Sequence, residues 1–518
     1  MYQVKRLKDM WKNRKSVIRK ERKPMARKST PTYTIEFPLN IPLWQQHRLE
    51  KKFKIARHVY NSCLGEALKR HKRVKMDKKY RALLREPKSK ERDKSLLNIR
   101  LSYVFTEYGL HNFVKSVQYK FKENIGSFEA QKLATRAFQA VEKLHFGKAK
   151  KVYFKSSFDT ISVENKSNTT GLRYADGNIL WGDKPTKKHP NPKNWLCMSV
   201  IPKVNDEYAH LALIDKTKYV RILKREVRGK VRFFIQLIQE GYPPTKRNRK
   251  VSNDESKRVG IDIGPSTIAI SGEEAVQFHE LAPNCEVDKR KLRCIQRAMD
   301  RSKRATNPNN FKEDGTIKKG HLEWNYSNRY KKLRKDRKEW YRKIAVERKM
   351  SHEKLANDIL ALGSDIRVET MRFQSLQKRT KATTKNKKNG KVNHKKRFGK
   401  SIAHHAPAML LTIIDRKLGY QGRSIKKIDT YATKASQFNH ITGEYNKKQL
   451  SERWNNFGEL RIQRDLYSAF LIGNTNETLS SVDVNLCNAR WDHFVELHHK
   501  ENARLKQSNS KRLRWFVA

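Results

Sequence analysis

The stretch RVGIDIGPSTIAISG, residues 258–272, decides the fold, because it combines β-strand character with a single acidic residue. Strand alternation places Ile261 and Ile263 on one face and Asp262 on the other, between two glycines. A carboxylate in an apolar strand is costly unless something pairs with it. Asp262 therefore either binds a cation or is held by backbone amides or a neighbouring arginine. The glycines leave space that water, a metal ion or a phosphate can enter.

Two further acidic residues follow later in the chain. Glu369 ends the segment DIRVETM, where Ile366 and Val368 alternate with polar residues and predict a strand. Taken alone, Glu369 also fits a surface glutamate paired with a lysine. Asp465, in QRDLYSAFLIGN, lies in the first turn of a predicted helix, where the helix dipole alone favours an acid. Together, these positions match a two-metal phosphodiesterase, so we predict Asp262, Glu369 and Asp465 as catalytic and metal-binding residues.

Carboxylates indicate which metal such a site would take. They are the hard oxygen ligands that Mg²⁺ prefers. Two divalent ions about 3.5–4 Å apart stabilise the attacking and leaving oxygens of an in-line displacement. The expected cofactor is therefore a pair of Mg²⁺ ions, with Mn²⁺ as an alternative. Water would be the nucleophile, so no covalent enzyme intermediate is required.

Composition points to a polyanionic partner. The 518 residues include 116 Lys and Arg against 52 Asp and Glu, which gives a formal charge of +64. Self-repulsion of this size destabilises a free compact protein, so nucleic acid is the expected partner. No apolar run approaches the roughly 20 residues that cross a membrane, and no secretory signal is expected. The five cysteines form no CxxC pair, which favours a reducing cytosol.

The length favours two to four domains. TYTIEFPL, residues 32–39, predicts a strand, and a helical period begins near residue 49. Hairpins are expected at Asp176–Gly177 and near Gly229. Residues 377–400 form a lysine-rich loop, either solvated or in contact with a phosphate backbone. The predicted divisions are a basic arm at 1–30, a β-barrel domain at 31–47 and 152–250, a helical domain at 48–151, a nuclease domain at 256–474 and a C-terminal tail at 475–518.

Several motifs together resemble the TnpB family, the transposon-encoded RNA-guided DNA nucleases related to type V CRISPR effectors. GIDIGPSTIAI, IRVETM and QRDLYSAFLI resemble the three RuvC motifs in their family order, and HVYNSCL resembles an early recognition helix. The resemblance covers about residues 32–471. It implies a multidomain α/β and α+β protein in which an RNase H-like (RuvC) nuclease domain accompanies a β-barrel wedge domain and a helical recognition domain.

The resemblance also implies partners. These are a guide RNA from a transposon or CRISPR locus and a double-stranded DNA target beside a short adjacent motif. Base pairing reads the sequence, while the protein grips the heteroduplex through its shape and backbone. Asp262, Glu369 and Asp465 occupy the family's Mg²⁺-binding positions. We expect a monomer in the bacterial cytoplasm, associated with the nucleoid.

Two departures from the family pattern affect the segment before the third motif. Family members often carry a CxxC…CxxC zinc ribbon, but residues 430–464 contain no cysteine and only His440 as a histidine. Tetrahedral zinc normally needs four such ligands. We therefore expect no zinc site, and instead a loop or hairpin held by packing of Phe438, Trp454 and Phe457. Tyr467 replaces the usual Asn two residues after the third acid.

Three other functions stay open on the sequence. A guided DNA-binding repressor would be expected to lack one or more of the acids, yet all three are present. An RNase H-like transposase or resolvase would share the acids but not the helical insertion. A structural RNA-binding protein would leave the acids unexplained. A single-strand transposase would carry a His-hydrophobic-His pair and a nucleophilic tyrosine, but the pairs His404–His405 and His498–His499 lack the intervening residue, so we expect them at the surface or on phosphate.

Overall fold

The structure is a computed structural model, and it divides the chain into two compact units. The first consists of Met1–Arg225 and Val231–Lys246, and the second of residues 226–230 and 247–518. Both units mix helices with sheets, so the predicted multidomain mixed fold is confirmed. No described helix is long and apolar enough to cross a bilayer. The structure describes residues 30–517 except 158, 160, 184–185, 188–189, 191–194, 245–253, 255, 286–288, 378–397, 448 and 450–451.

The strands of the first unit form two antiparallel sheets, with orders β1-β7-β6-β2 and β3-β4-β5. Alternate residues of β1 from Tyr33 to Leu39 are buried, as its sequence predicts. The expected hairpins turn at Asp176–Gly177 and Arg228–Gly229, whose four residues all have positive φ. A single closed barrel stays a prediction. The strands are β1 (Thr32–Leu39), β2 (Ser162–Glu164), β3 (Arg173–Ala175), β4 (Asn178–Trp181), β5 (Leu196–Ser199), β6 (Thr217–Val227) and β7 (Lys230–Glu240).

A helical module lies between β1 and β2 in the sequence. The side chains at Leu49, Phe53, Ala56 and Tyr60 are buried on one face of its first helix, which confirms the helical period read from the sequence. This helix packs mainly on the last helix of the module. The helices of the unit are α1 (Leu43–Met76), α2 (Lys78–Leu83), α3 (Lys90–Ser102), α4 (Glu107–Tyr119), α5 (Ser127–His145) and α6 (Glu207–Ile214).

The second unit is built on one five-stranded sheet with the order β10-β9-β8-β11-β12. The first three strands form an antiparallel meander, and β11 and β12 run parallel to β8. The stretch that opened the sequence analysis therefore supplies the central strand. The strands are β8 (Arg258–Ile263), β9 (Thr267–Ser271), β10 (Val276–Glu280), β11 (Asp365–Glu369) and β12 (Lys426–Ile428).

Helices cover this sheet. Helix α8 packs its last turns on the core through Leu355, Ile359 and Leu360, while its first half is basic and contains no buried residue. Helix α13 packs on β8, β9 and β11. The helices are α7 (Lys289–Thr306), α8 (Asn328–Leu362), α9 (Phe373–Leu376), α10 (Gly399–His405), α11 (Pro407–Gly419), α12 (Thr430–Thr433), α13 (Arg464–Gly473), α14 (Val484–Lys506) and α15 (Lys511–Phe516).

The cysteine-free segment forms a hairpin of β13 (Trp454–Phe457) and β14 (Leu460–Gln463). Phe438 is buried, and Trp454 and Phe457 pack against the same core, so the expected hairpin and its aromatic packing are confirmed. His440 is buried as well, and its ring contacts Phe457 and Trp491. Aromatic rings therefore hold this segment to the second unit.

The region after residue 474, which the sequence leaves unassigned, is part of the core of the second unit. Helices α14 and α15 both pack on β10, and α14 also contacts α13. Phe494, Leu505 and Phe516 are buried there. The predicted basic arm falls almost wholly outside the described residues, as does most of the lysine-rich loop.

Candidate active site

The three predicted acids lie on three neighbouring elements of the second unit. Strands β8 and β11 run parallel, and Ile261 pairs with Val368. Asp262 and Glu369 follow directly after this pair, so they lie side by side at the carboxyl edge of the sheet. Asp465 lies in the first turn of α13, as predicted, and this helix packs on both strands. All three side chains are partly buried.

Close backbone packing fixes α13 on the sheet. A Cβ atom placed on Gly260 would lie 2.0 Å from the backbone oxygen of Ala469 and 2.3 Å from the backbone nitrogen of Gly473. No other residue type fits this position without moving the helix. Since Gly260 lies two residues before Asp262, the helix that carries Asp465 is held against the strand that carries Asp262.

Electrostatics show that the acids interact. Burial raises the pKa of the Asp262 carboxyl well above its ordinary range, the negative charges of Asp465 and Glu369 raise it further, and Arg464 lowers it. Burial also raises the pKa of Glu369. Like charges gathered in a partly desolvated place disfavour ionisation. The edge of the sheet is therefore a place where a cation would be stabilised.

Asp465 has neighbours of its own. Its Oδ1 lies 3.7 Å from Nε of Arg464, and its Oδ2 lies 3.9 Å from Nη1 of Arg453. Gln463 donates from Nε2 to Oδ2 of Asp465 at 3.3 Å. The same Gln463 side chain caps the helix, because its Oε1 accepts from the backbone N–H of Leu466 at 2.8 Å. One buried amide thus orients both the helix and its acid.

The three acids have the right chemistry to bind Mg²⁺, but their side chains are not close enough together to hold an ion. All three donors are carboxylates, which Mg²⁺ prefers, and the pKa of Asp262 is raised by burial first and then by the two neighbouring negative charges. Within the part of the chain that the structure describes, however, no three Asp, Glu, His or Cys side chains converge closely enough to hold an ion. The three donors are therefore of the type that magnesium prefers, but the carboxylates would have to move closer together to hold an ion.

The sequence did not reveal the role of Arg367. Strand alternation puts it on the same face as Glu369, and that face is covered by α13, so the Arg367 side chain is fully buried. Its guanidinium donates to Oδ2 of Asp365 at 2.9 Å, and also to the backbone oxygen of Thr475 just beyond α13. A positive group near the last carbonyls of a helix is favourable. Arg367 therefore holds the end of α13 opposite Asp465.

The expectation for the histidine pairs is wrong for one member of each. His405 is buried and contacts the backbone oxygen of Leu281 through Nδ1 at 2.5 Å. His498 is fully buried, and its Nε2 accepts from the backbone N–H of Gln463 at 2.9 Å. Burial lowers the pKa of His498 to about 4, which agrees with a neutral ring that accepts this bond. His498 thereby supports the residue that orients Asp465.

Tyr467, the departure from the family pattern, also has a structural partner. It is buried two residues after Asp465, and its hydroxyl accepts from the backbone N–H of His440 at 3.1 Å. The same hydroxyl lies 2.7 Å from Nδ1 of His440. The tyrosine therefore ties the cysteine-free segment to α13 where the family pattern has an asparagine. The acid itself remains at the start of the helix.

Comparison with known proteins finds no matching family model and no matching curated protein. The chain is similar to a solved structure described as the cryo-EM structure of the Cas12f1–sgRNA–target DNA complex, with a TM-score of 0.41 and 13% identity over 87% of this chain and 99% of that chain. A cryo-EM structure of a CRISPR–Cas12f ternary complex gives a TM-score of 0.26 and 14% identity over 83% of this chain and 82% of that chain. At these values neither similarity identifies the activity of this chain.

Proposed function

We propose that this chain is an RNA-guided DNA endonuclease. Its active site, formed by Asp262, Glu369 and Asp465, would bind Mg²⁺ and hydrolyse phosphodiester bonds of the DNA. The observation that carries the proposal is the meeting of these acids at one edge of the β8–β11 sheet. Burial raises the pKa of Asp262, repulsion by Asp465 and Glu369 raises it further, and a divalent cation would offset both effects. In this proposal the carboxylates converge further when the ions bind.

The chain's own residues supply the framework for this chemistry. Bound Mg²⁺ ions would polarise the phosphate and lower the pKa of an attacking water. Asp262 and Glu369 are presented by adjacent parallel strands, and Asp465 is presented by a helix that packs closely on Gly260. Gln463 orients Asp465 through Oδ2. Rigid elements of this kind hold ligands more precisely than loops do.

The sheet topology supports an RNase H-like assignment for the second unit. An antiparallel meander is followed by two parallel strands on its far edge, with the first acid on the central strand. The second acid lies on the adjacent parallel strand, and the third begins a late helix. We propose that the sheets and helical module of the first unit are the wedge and recognition domains.

Guidance by RNA is the part of the proposal that rests on the motifs and the charge. The three RuvC-like motifs and the early helix resemble the TnpB family in order. A net charge of +64 is more than a local DNA contact needs, and it fits a protein that encloses long nucleic-acid strands. The proposed partners are a transposon- or CRISPR-derived guide RNA and double-stranded DNA with an adjacent motif.

The first experiment is co-expression with the flanking genomic DNA, followed by sequencing of any RNA that copurifies. The purified complex is then incubated with Mg²⁺ and a plasmid library in which the sequence beside the target is randomised. Guide-directed cuts that disappear in Asp262→Ala are expected. Discrete RNA with binding but no cuts would favour the repressor. Absence of any discrete RNA would favour a resolvase-type nuclease.

A further inference from the structure

An exposed tyrosine lies beside the candidate active site. The side chain of Tyr431 is 90% exposed, whereas most aromatic rings of the second unit's core are buried or packed. Among the described residues, no aromatic ring or cation stacks on it. Single exposed rings are common on protein surfaces, so a ligand is indicated here by the place of this ring beside the candidate site and by the charges around it.

Hydrogen bonds fix the backbone around Tyr431 next to Glu369. Strands β11 and β12 run parallel, and Glu369 pairs with Ile428. Thr370, which follows the glutamate, donates from its backbone N–H to Oγ1 of Thr430 at 3.0 Å, and its hydroxyl donates to the oxygen of Ile428 at 3.0 Å. Two hydrogen bonds therefore join the ends of the two strands. Tyr431 follows Thr430 directly in the chain.

The turn itself is also anchored. Asp429 accepts from the backbone N–H of Tyr431 at 2.9 Å through Oδ1. The short helix α12 ends at Thr433, which is fully buried, and Ala435 just after it is fully buried as well. The turn is thus held on its inner side, while the tyrosine ring faces solvent at the carboxyl edge of the sheet. A ring presented by a fixed backbone loses little conformational entropy when a ligand stacks on it.

Charge near this ring selects the chemistry of the ligand. Lys427 and Lys434 flank Tyr431 in the sequence, and both side chains are exposed. Arg372, three residues after Glu369, is exposed as well. An aromatic ring among cations matches a nucleobase joined to phosphates, because every base has a face that stacks and every nucleotide has a negative charge. A base paired inside a duplex has no free face, so the ligand is single-stranded.

The geometry points to Tyr431 as a stacking platform for an unpaired nucleobase of the single strand that enters the carboxylate site. This inference rests on the proposed nuclease function and adds a substrate-contacting residue to it. The ring binds the base next to the phosphate that reaches Glu369, and the lysines hold the flanking backbone. Since stacking does not depend on base identity, the platform accepts any sequence.

Photo-crosslinking tests the contact without requiring cleavage. The full-length protein, with its copurifying RNA, is mixed in chelator-containing buffer with a single-stranded DNA carrying 5-iodouracil, which crosslinks to stacked aromatic rings. After irradiation, the crosslinked peptide is mapped by mass spectrometry. We expect a crosslink on Tyr431, retained in Tyr431→Phe and reduced about tenfold in Tyr431→Leu, which keeps apolar bulk but has no π face.

Tyr108→Ala is the matched control, because this tyrosine is 79% exposed on helix α4 of the other unit. Its crosslinks at residue 431 are expected to equal those of the unchanged protein. Crosslinks that map only elsewhere, or that persist at neighbouring residues in Tyr431→Leu, would overturn the inference. Failure of the nuclease proposal looks different, because DNA would then stay uncut with Mg²⁺ whether or not Tyr431 crosslinks.

Discussion

Gly260 and Gly473 meet backbone to backbone, since a Cβ atom on Gly260 would lie 2.3 Å from the nitrogen of Gly473. This contact joins the strand of one candidate catalytic acid to the helix of another. A side chain at either position would act as a spacer between strand and helix. The contact therefore holds the helix of Asp465 close against the strand of Asp262.

We expect Gly260→Ala to reduce DNA cleavage at least tenfold and to destabilise the second unit by about 1–3 kcal/mol, the usual cost of overpacking. Gly272→Ala is the control, because its added Cβ would come no closer than 3.5 Å to Cβ of Leu362. Cleavage assays and urea unfolding measure the two effects. Equal behaviour of the two variants would show that the helix adjusts freely.

Asp262→Asn should abolish cleavage and yet stabilise the metal-free protein, by on the order of 1 kcal/mol at neutral pH. The pKa of Asp262 is raised in the folded state, so ionisation of this carboxyl opposes folding above its ordinary pKa. An amide removes the charge and keeps the shape. Thermal unfolding without metal measures the gain, with the exposed Asp492→Asn as control. A less stable Asp262→Asn would contradict the proposed repulsion.

Mg²⁺ should reverse this order of stability. The ion stabilises the unchanged protein by binding its native state, and it has less effect on Asp262→Asn, which has lost one ligand. Melting temperatures recorded at increasing Mg²⁺ concentration provide the measurement. Parallel shifts in both variants would place the ion elsewhere.

Replacing the buried Arg367 by Met should cost about 3–5 kcal/mol of the free energy of unfolding, because Asp365 loses a buried partner. Nζ of Lys426 lies 3.1 Å from Oδ2 of Asp365. This second cation would keep the loss of stability near the lower end of that range. The double variant Arg367→Met/Asp365→Asn should recover part of it. Urea unfolding of all four proteins gives the coupling free energy. Additive losses would mean that the two side chains do not interact.

His498 should make stability depend on pH below neutrality. Its pKa is about 4 in the folded state against 6.5 ordinarily, so the unfolded chain takes up a proton first as pH falls. The free energy of unfolding should therefore decrease from pH 6.5 to pH 4, by up to about 3 kcal/mol from this residue. His498→Gln should show a flatter profile over that interval. The exposed His499→Gln serves as control and should keep the slope.

Much of the fold could be predicted from local periodicity. The bounds of β1 follow from the alternation of apolar and polar residues. The helix that starts near Asp465 follows from apolar residues repeated at three- and four-residue steps. Asp262, Glu369 and Asp465 were predicted for the same reason, since each stands out against an apolar pattern. The prediction that these three form the catalytic site stays a prediction.

The missed features depend on tertiary burial of polar residues. Helix α14 buries Glu501, Asn502 and His498 along with its apolar side chains, so its hydropathy pattern gives little sign of a core helix. The burial of Arg367 could not be predicted, because the sequence does not show which face of β11 a helix covers. Tyr431 lies in a four-residue helix, too short for any periodic signal.

The packing of α14 and α15 on β10 has a practical consequence for making shorter versions of this protein. Deleting residues 484–518 would uncover Phe278 on the sheet and remove the histidine that supports Gln463. Trimming from this end would therefore destabilise the second unit. Attempts at miniaturisation have more room in the loop between α7 and α8, where residues 312–319 are mostly exposed.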